Sequence, residues 1–268
     1  MIRLAVAGAA GRMGKMILQL ALKDKSFKIT GGTEQRGHTS LGTDIGSLIG
    51  SGLLNVQIRQ DPVAVLKTAD VFVDFSHFSA LPENLAACFE TKTAYVIGTT
   101  AIPAGTLKKI KQASKKIPIV QSPNMSVGVN LLFRLAALAG SVLDESYDLE
   151  ITEVHHRMKK DAPSGTALKL LEILAEARGR SAKRDVVYGR EGNTGVREKG
   201  KIGVFALRGG DVIGEHTVSF LGDGERFELV HKASSREAFA KGALLAAKFL
   251  AKKKAGLYHM GHVLDMTW

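Results

Sequence analysis

The chain of 268 residues contains a single cysteine, Cys88, so it can form no intrachain disulfide and has no cysteine cluster for a structural zinc. A reducing compartment, the cytoplasm, is the expected location, and no metal is expected. Aromatic residues make up only 6% of the chain. They are not interleaved with basic ones, which removes the stacking platform that single-stranded nucleic acid needs. No run approaches the roughly 18 consecutive apolar residues of a membrane helix, and the short apolar run after Met1 leads into a glycine loop and not into a cleavage site. Nucleic acid and membrane are therefore excluded as expected partners. Internal repeats and low-complexity linkers are also lacking.

What is present is ordinary globular content, 45% hydrophobic and 24% charged, with room for two modest cores. The formal net charge of +11 favours an anionic partner without choosing among phosphate, dicarboxylate and nucleic acid. Its densest clusters, Lys108/Lys109/Lys111 with Lys115/Lys116 and Lys252/Lys253/Lys254, read as solvated helix faces or ends.

The first half alternates short β-rich runs with helical stretches, the pattern of a doubly wound parallel α/β sheet of Rossmann type. Strands are predicted at Ile2 to Ala7, Phe27 to Gly32, Asp70 to Phe75, Ala94 to Gly98 and Ile117 to Gln121. Met13, Met16, Ile17, Leu20 and Ala21 fall at helical spacing and predict an apolar stripe facing the sheet. After Asn124 the texture changes. A helix (Val129 to Leu143), a strand (Leu149 to His155) and a helix (Thr166 to Arg178) precede three strands, Lys201 to Leu207, His216 to Phe220 and Phe227 to His231. These predict an α+β unit whose mixed or antiparallel sheet is covered by helices on one face. A last helix spans Arg236 to Ala251.

Gly8-Ala9-Ala10-Gly11-Arg12-Met13-Gly14 joins the first strand to the first helix, where a dinucleotide pyrophosphate would sit on a helix N-terminus. The spacing is G-x-x-G-x-x-G and not the usual G-x-G-x-x-G. Glu34 stands after the second strand, about 20 residues beyond Gly14, where an acid accepts hydrogen bonds from ribose hydroxyls. Gly98-Thr99-Thr100 ends another strand, as a ligand-binding turn or as a cap for the next helix, and Ser122-Pro123-Asn124-Met125 reads first as an interdomain hinge.

The most informative stretch runs from Glu153 to Ala167. His155 and His156 leave a strand on opposite sides, so both serve one pocket only if the backbone turns, which Pro163 and Gly165 permit. Ser164-Gly165-Thr166 opens a helix, where unpaired amides and the dipole favour a carboxylate, or where Ser164 or Thr166 acts only as a cap. The histidines have no Cys or carboxylate partner at metal-ligand spacing. With Lys159 and Lys160, the loop argues for a small polyanionic substrate.

The glycine loop, Gly98-Thr99-Thr100, Asn124 to Asn130, His155-His156-Arg157 with Lys159, Asp161 to Ala167, Tyr188 to Gly192, Gly214 to Thr217 and His231 to Arg236 together resemble the dihydrodipicolinate reductases in order and spacing. The resemblance covers essentially the whole chain. It implies a discontinuous dinucleotide domain (1–126 and 236–268), a substrate and tetramerisation domain (127–235), NADPH or NADH as cofactor, and a homotetramer. The implied reaction is reduction of hydroxylated tetrahydrodipicolinate, a dicarboxylate, with loss of water, in lysine and diaminopimelate biosynthesis. It further implies Lys159 as proton donor, His155 as its acid–base or charge-organising partner, and His156, Ser164, Gly165 and Thr166 as substrate binders. Cofactor contacts are implied for Gly8 to Met13, Glu34 to Arg36, Gly98 to Thr100, Ser122 to Met125 and Arg236. One position departs from the family pattern: Gln35 stands where an Arg reads the 2′-phosphate of NADPH, and Arg36 follows it. The competing readings are another nicotinamide enzyme on the same fold, such as an amino-acid dehydrogenase, and a basic protein that binds a nucleotide only as a regulator.

Overall fold

Strand β1 (Ile2–Ala7) is apolar on both faces, as a central parallel strand must be, and in the computed structural model, which describes residues 1–266, it lies inside a seven-stranded sheet. The chain continues through α1 (Arg12–Lys23), β2 (Phe27–Thr33), α2 (Ile45–Leu48), β3 (Ile58–Arg59), α3 (Pro62–Leu66) and β4 (Val71–Asp74). A 3-10 turn (Phe78–Ala80) follows, then α4 (Leu81–Thr91), β5 (Ala94–Ile97), α5 (Ala104–Ala113) and β6 (Pro118–Gln121). After α6 (Val127–Val142) come β7 (Asp148–His155), α7 (Gly165–Ala177), β8 (Val186–Tyr188), β9 (Ile202–Arg208), β10 (Gly214–Leu221) and β11 (Arg226–Ala233). The chain then adds α8 (Glu237–Leu250), β12 (Gly256–Tyr258) and α9 (Met260–Val263).

Two compact units result: one runs from Met1 to Val127 and resumes at Arg236, the other spans Gly128–Ser235. In the first, the strand order is β12-β6-β5-β4-β1-β2-β3, and every pair is parallel. Alternation along each strand sends Leu4, Val6, Val71, Val73 and Val96 into a core with α1 and α8, and Ala5, Phe72, Tyr95, Ile97 and Ile119 into a second core with α3, α4 and α5. Helices therefore cover both faces. The α1 stripe is rotated from the one predicted: Gly14, Ile17, Leu18 and Ala21 are buried, while Met13, Met16 and Leu20 are only partly so. Leu18 is drawn in because α8 flanks α1 as well as the sheet, a neighbour that local periodicity does not reveal. The edge strands β3 and β12 were not anticipated, being two and three residues long.

The second unit has the order β11-β10-β7-β9-β8. β10 is antiparallel to both β7 and β11, whereas β9 is parallel to β7 and β8. The sheet is thus mixed. One face buries Leu149, Ile151, Ile202, Val204, Val218 and Phe220 under α6 and α7, supplied by Val129, Phe133, Leu170 and Leu174 among others.

Candidate functional site

Order in the first sheet reverses between β1 and β4, so the chain parts at their carboxyl ends and leaves a crevice there. A cleft of about 530 Å³ occupies this place, lined by Gly8, Ala10, Gly11, Glu34, Gln35 and Arg36 together with Phe75, Ser76 and His77. Six residues read from the sequence as cofactor contacts are thus brought together.

Close approach explains the glycine spacing. Gly8 has φ +59°, a left-handed conformation that favours glycine, and its carbonyl accepts from the Gly11 amide at 2.9 Å. A side chain on Gly14 would place its Cβ 2.1 Å from the Gly8 oxygen, so α1 can pack this tightly on the loop only with glycine there. Gly11 caps α1 without a side-chain hydrogen bond, leaving first-turn amides whose partners lie outside the helix. Such a cradle of glycine backbone at a helix start fits a dinucleotide pyrophosphate. Glu34 Oε1 accepts from the Ala10 amide at 2.8 Å, tying the acid at the end of β2 to the phosphate loop itself. The Ala9 amide is bonded to the Thr33 carbonyl and its side chain is buried; Arg12 is exposed and Met13 partly buried at the start of α1. Arg236, at the N-cap of α8, is brought near Arg12: burial, and then the like charge of Arg12, lower its pKa from the usual guanidinium value. Two cations flank the start of α1 in this way, an arrangement suited to an anion.

Gly98, Thr99 and Thr100 follow β5, and Ser122, Pro123, Asn124 and Met125 follow β6, at the carboxyl ends of the next two strands. The buried Thr99 hydroxyl donates to the Ser76 carbonyl at 3.0 Å, which ties the β5 end to the β4 end lining the cleft. Ser122 Oγ donates to the Asn124 carbonyl at 2.9 Å, and Met125 is buried where Gly242 of α8 lies against its backbone. In this unit, sequence reading passed over Asp74 and the three residues that follow it. Asp74 is fully buried and accepts from the Ser76 amide, the Ser76 hydroxyl, Asn84 and Tyr95 at 2.5–2.8 Å, which shapes the β4 end. Its position at a strand end on the switch point was the available signal. Burial, with the Asp74 charge behind it, raises the Cys88 thiol well above its usual pKa, so this cysteine is inert at neutral pH.

In the second unit, β7 carries Leu149, Ile151, Glu153 and His155 on its buried face, so a carboxylate and an imidazole continue a row begun by two aliphatic residues. The chain turns at Arg157 and Met158, where the Lys159 amide bonds to the His156 carbonyl and the His156 amide to Val212. The reversal therefore sits directly after the histidine pair, ahead of Pro163 and Gly165, where the sequence had allowed it. Lys159 Nζ reaches both carboxylate oxygens of Asp161 at 2.9 Å. Asp161 is mostly exposed, so by the scale of surface pairs this contact is worth about 0–1 kcal/mol and exchanges readily for another anion. Burial would raise the Asp161 carboxyl, but Lys159 outweighs it and holds the carboxyl below its ordinary value.

Ser164 caps α7, its hydroxyl accepting from the Ala167 amide at 3.2 Å and lying 3.1 Å from His216 Nε2. Gly165 and Thr166 open the first turn of α7, where the helix dipole makes the start attractive to a carboxylate. Glu153, fully buried, is held by His155 Nδ1 at 2.5 Å, by both terminal nitrogens of Arg208 at 2.8 and 2.9 Å, and by the Ser164 amide at 2.9 Å. Burial alone would raise its carboxyl, but these hydrogen bonds bring it down to about 2. His216 is driven down to about 3 by burial and then by the charge of His155, so it is neutral. Glu153, Arg208 and His216 were absent from the residues expected to form the site. Among the described residues no group of three or more His, Cys, Asp or Glu side chains could hold a metal, and no helix is long and apolar enough to cross a membrane.

Both halves of the chain match family models. That described as "Dihydrodipicolinate reductase, N-terminus" aligns with residues 2–125, and "Dihydrodipicolinate reductase, C-terminus" with 128–264. A 4-hydroxy-tetrahydrodipicolinate reductase from Anaeromyxobacter sp. (strain Fw109-5) is 48% identical over 266 residues, covering 99% of this chain and 98% of the relative. One from Nitrosomonas europaea is 46% identical over 265 residues, again covering 99% and 98%. Among solved structures, a dipicolinate-bound dihydrodipicolinate reductase from Paenisporosarcina sp. TG-14 superposes with a TM-score of 0.75 over 97% of both chains at 24% identity, a likeness of fold.

Proposed function

Since the chain belongs to the dihydrodipicolinate reductase family, we infer that it is an NAD(P)H-dependent oxidoreductase that reduces 4-hydroxy-tetrahydrodipicolinate to tetrahydrodipicolinate with loss of water, in lysine and diaminopimelate biosynthesis. The observation that carries the reading is the loop leaving β7, which sets an ammonium, two histidines and a helix N-terminus within twelve residues of one another. An amino-acid dehydrogenase on the same fold has no need of that set.

The roles divide by unit. Residues 1–126 with 236–268, of which 267 and 268 lie outside the described residues, form the dinucleotide domain in this reading, and 127–235 the substrate and tetramerisation domain. Gly8 to Met13 and Arg236 hold the pyrophosphate, Glu34 the adenosine ribose, Gln35 and Arg36 its 2′ position, and Gly98 to Thr100 with Ser122 to Met125 the nicotinamide end. When bound, the nicotinamide supplies the hydride that reduces the conjugated imine. His156, Ser164 and the amides of Gly165 and Thr166 bind the substrate carboxylates. As negative charge develops on the ring, the Lys159 ammonium stabilises it and delivers the proton, with His155 organising the charge around it. The Asp161 pair holds the ammonium in place until a substrate anion replaces it. The compartment proposed is the cytoplasm.

The test is oxidation of NADH or NADPH by the purified chain, followed by absorbance, with the substrate made in place from pyruvate and aspartate semialdehyde by the preceding enzyme. Turnover that depends on all three components is expected. Its absence while an amino acid is oxidised instead would overturn the reading.

A further inference from the structure

Every acceptor site of one carboxylate in the second unit is taken, and its partners come from three parts of the proposed substrate site. Glu153 Oε2 receives His155 Nδ1 and Arg208 Nη1, and Oε1 receives the Ser164 amide and Arg208 Nη2. Arg208 continues to the Asp161 carbonyl at 2.6 Å, back to the loop that carries Lys159. The side chain has no exposure to solvent. A carboxylate in the row of Leu149 and Ile151 carries a large desolvation cost, and an apolar residue of similar size often serves stability equally well. Burial of this charge therefore calls for a role besides packing.

We propose that Glu153 is the positioning residue of the substrate site, registering the His155 ring and the first turn of α7 on one buried anion. The inference rests on the reading of His155 and the α7 start as that site. Because both Glu153 oxygens are acceptors, His155 must present Nδ1–H to it, which leaves Nε2 as the nitrogen that exchanges protons. The Nε2 edge lies against Gly214 of β10, where a Cβ would stand 3.0 Å away, so the ring is confined from that side too. The same carboxylate pins the Ser164 amide, one residue before the amides of Gly165 and Thr166. Arg208 balances the charge of the carboxylate by donating to both of its oxygens. Glu153 on β7 and His216 on β10, with its ring 5.3 Å away, face the His155 ring; Arg208 on β9 meets it through the shared carboxylate, and His231 on β11 and Lys159 act on His216 in turn.

Glu153→Gln separates positioning from packing. The Arg208 Nη2 and Ser164 donors require the amide oxygen at the Oε1 place, which turns the amide NH₂ toward His155 Nδ1 and makes that nitrogen an acceptor. The proton is then forced onto Nε2. We expect kcat to fall about 10²-fold or more, the scale of a misplaced acid–base group, with NAD(P)H affinity within about twofold of wild type. Nitrogen-resolved NMR of the histidine rings should show His155 protonated at Nδ1 in the wild type and at Nε2 in the variant, and Glu153→Asp should restore the wild-type tautomer and part of kcat. The wild-type spectrum alone keeps the proposal falsifiable if Glu153→Gln does not fold: a neutral His155 carrying its proton on Nε2 there overturns it. So does a folded Glu153→Gln chain with unchanged tautomer and turnover, provided that His155→Ala is impaired. If His155→Ala and Lys159→Ala both turn over normally, the placement of the site itself has failed.

Discussion

Lys159 and Arg36 make the contrast between a residue whose role depends on chemistry and one whose role depends on recognition. Lys159 is held by a weak, exchangeable pair with Asp161, so its removal should leave the fold intact and lower turnover by about 10²- to 10⁴-fold, the range for a lost proton donor. Steady-state kinetics with cofactor binding measured in parallel would check this, and wild-type-like turnover in Lys159→Ala would remove the assignment. Arg36 is exposed and lines the cleft beside Glu34 and Gln35. A neutral Gln35 in the 2′ position makes about half the contact of a charged donor, so both cofactors should be used within about tenfold of each other in kcat/KM, a difference of about 1.4 kcal/mol. Arg36→Ala should then cost about tenfold or more with NADPH and nearly nothing with NADH. Equal losses with the two would show that Arg36 does not read the phosphate.

At the scale of elements, contacts between backbones set the limits. The start of α1 rests on the phosphate loop so closely that a methyl group on Gly14 meets the Gly8 carbonyl at 2.1 Å and the Ala9 Cα at 2.8 Å. Neither atom is the end of a flexible side chain. Gly14→Ala must therefore displace the loop, at about 1–3 kcal/mol for overpacking, and should lower Tm and weaken NADH binding at least tenfold. Titration by cofactor fluorescence would reveal it; unchanged affinity would mean that the loop yields without moving its amides. The β7 strand shows the complementary case. Its strict alternation puts Glu150, Thr152 and Val154 on the face opposite the helices, beside Phe205 and Leu207 of β9, and the same face continues across β10 to Val230 of β11.

That outer face matters for the whole molecule. Leu207 and Val230 are 48% and 53% exposed, and α6 turns Leu131, Leu138 and Val142 outward as well. These surfaces support the proposed homotetramer, which sedimentation at micromolar concentration should show; a monomer alone would contradict it. Stability should also fall on acidification in two stages. His216 and Glu153 both have folded pKa values below the unfolded ones, about 3 against 6.5 and about 2 against 4.5. As pH falls, the unfolded chain takes up protons before the folded chain does, so stability that is full at neutrality declines below 6.5 through His216 and below 4.5 through Glu153. His216→Gln should flatten the upper stage of a Tm-against-pH curve. A wild-type Tm that is level from neutrality to 4.5 would show that His216 is not buried in its neutral form.

The sequence by itself determined what is contiguous. The glycine loop and Glu34, the alternating strands of the parallel sheet, the change of texture after Asn124, and the run from His155 to Thr166 are all short-range patterns, because strand alternation, helix caps and glycine turns are fixed by neighbours a few residues apart. Only the tertiary structure decided what lies across strands. Glu153 meets Arg208 because β9 runs parallel to β7 in one register, and His216 reaches Ser164 because β10 runs antiparallel to β7 in another. Leu18 is buried because α8, more than two hundred residues later, lies beside α1. Register and helix packing are settled by the sum of many weak apolar contacts between distant segments, and no local pattern in any one segment carries that sum.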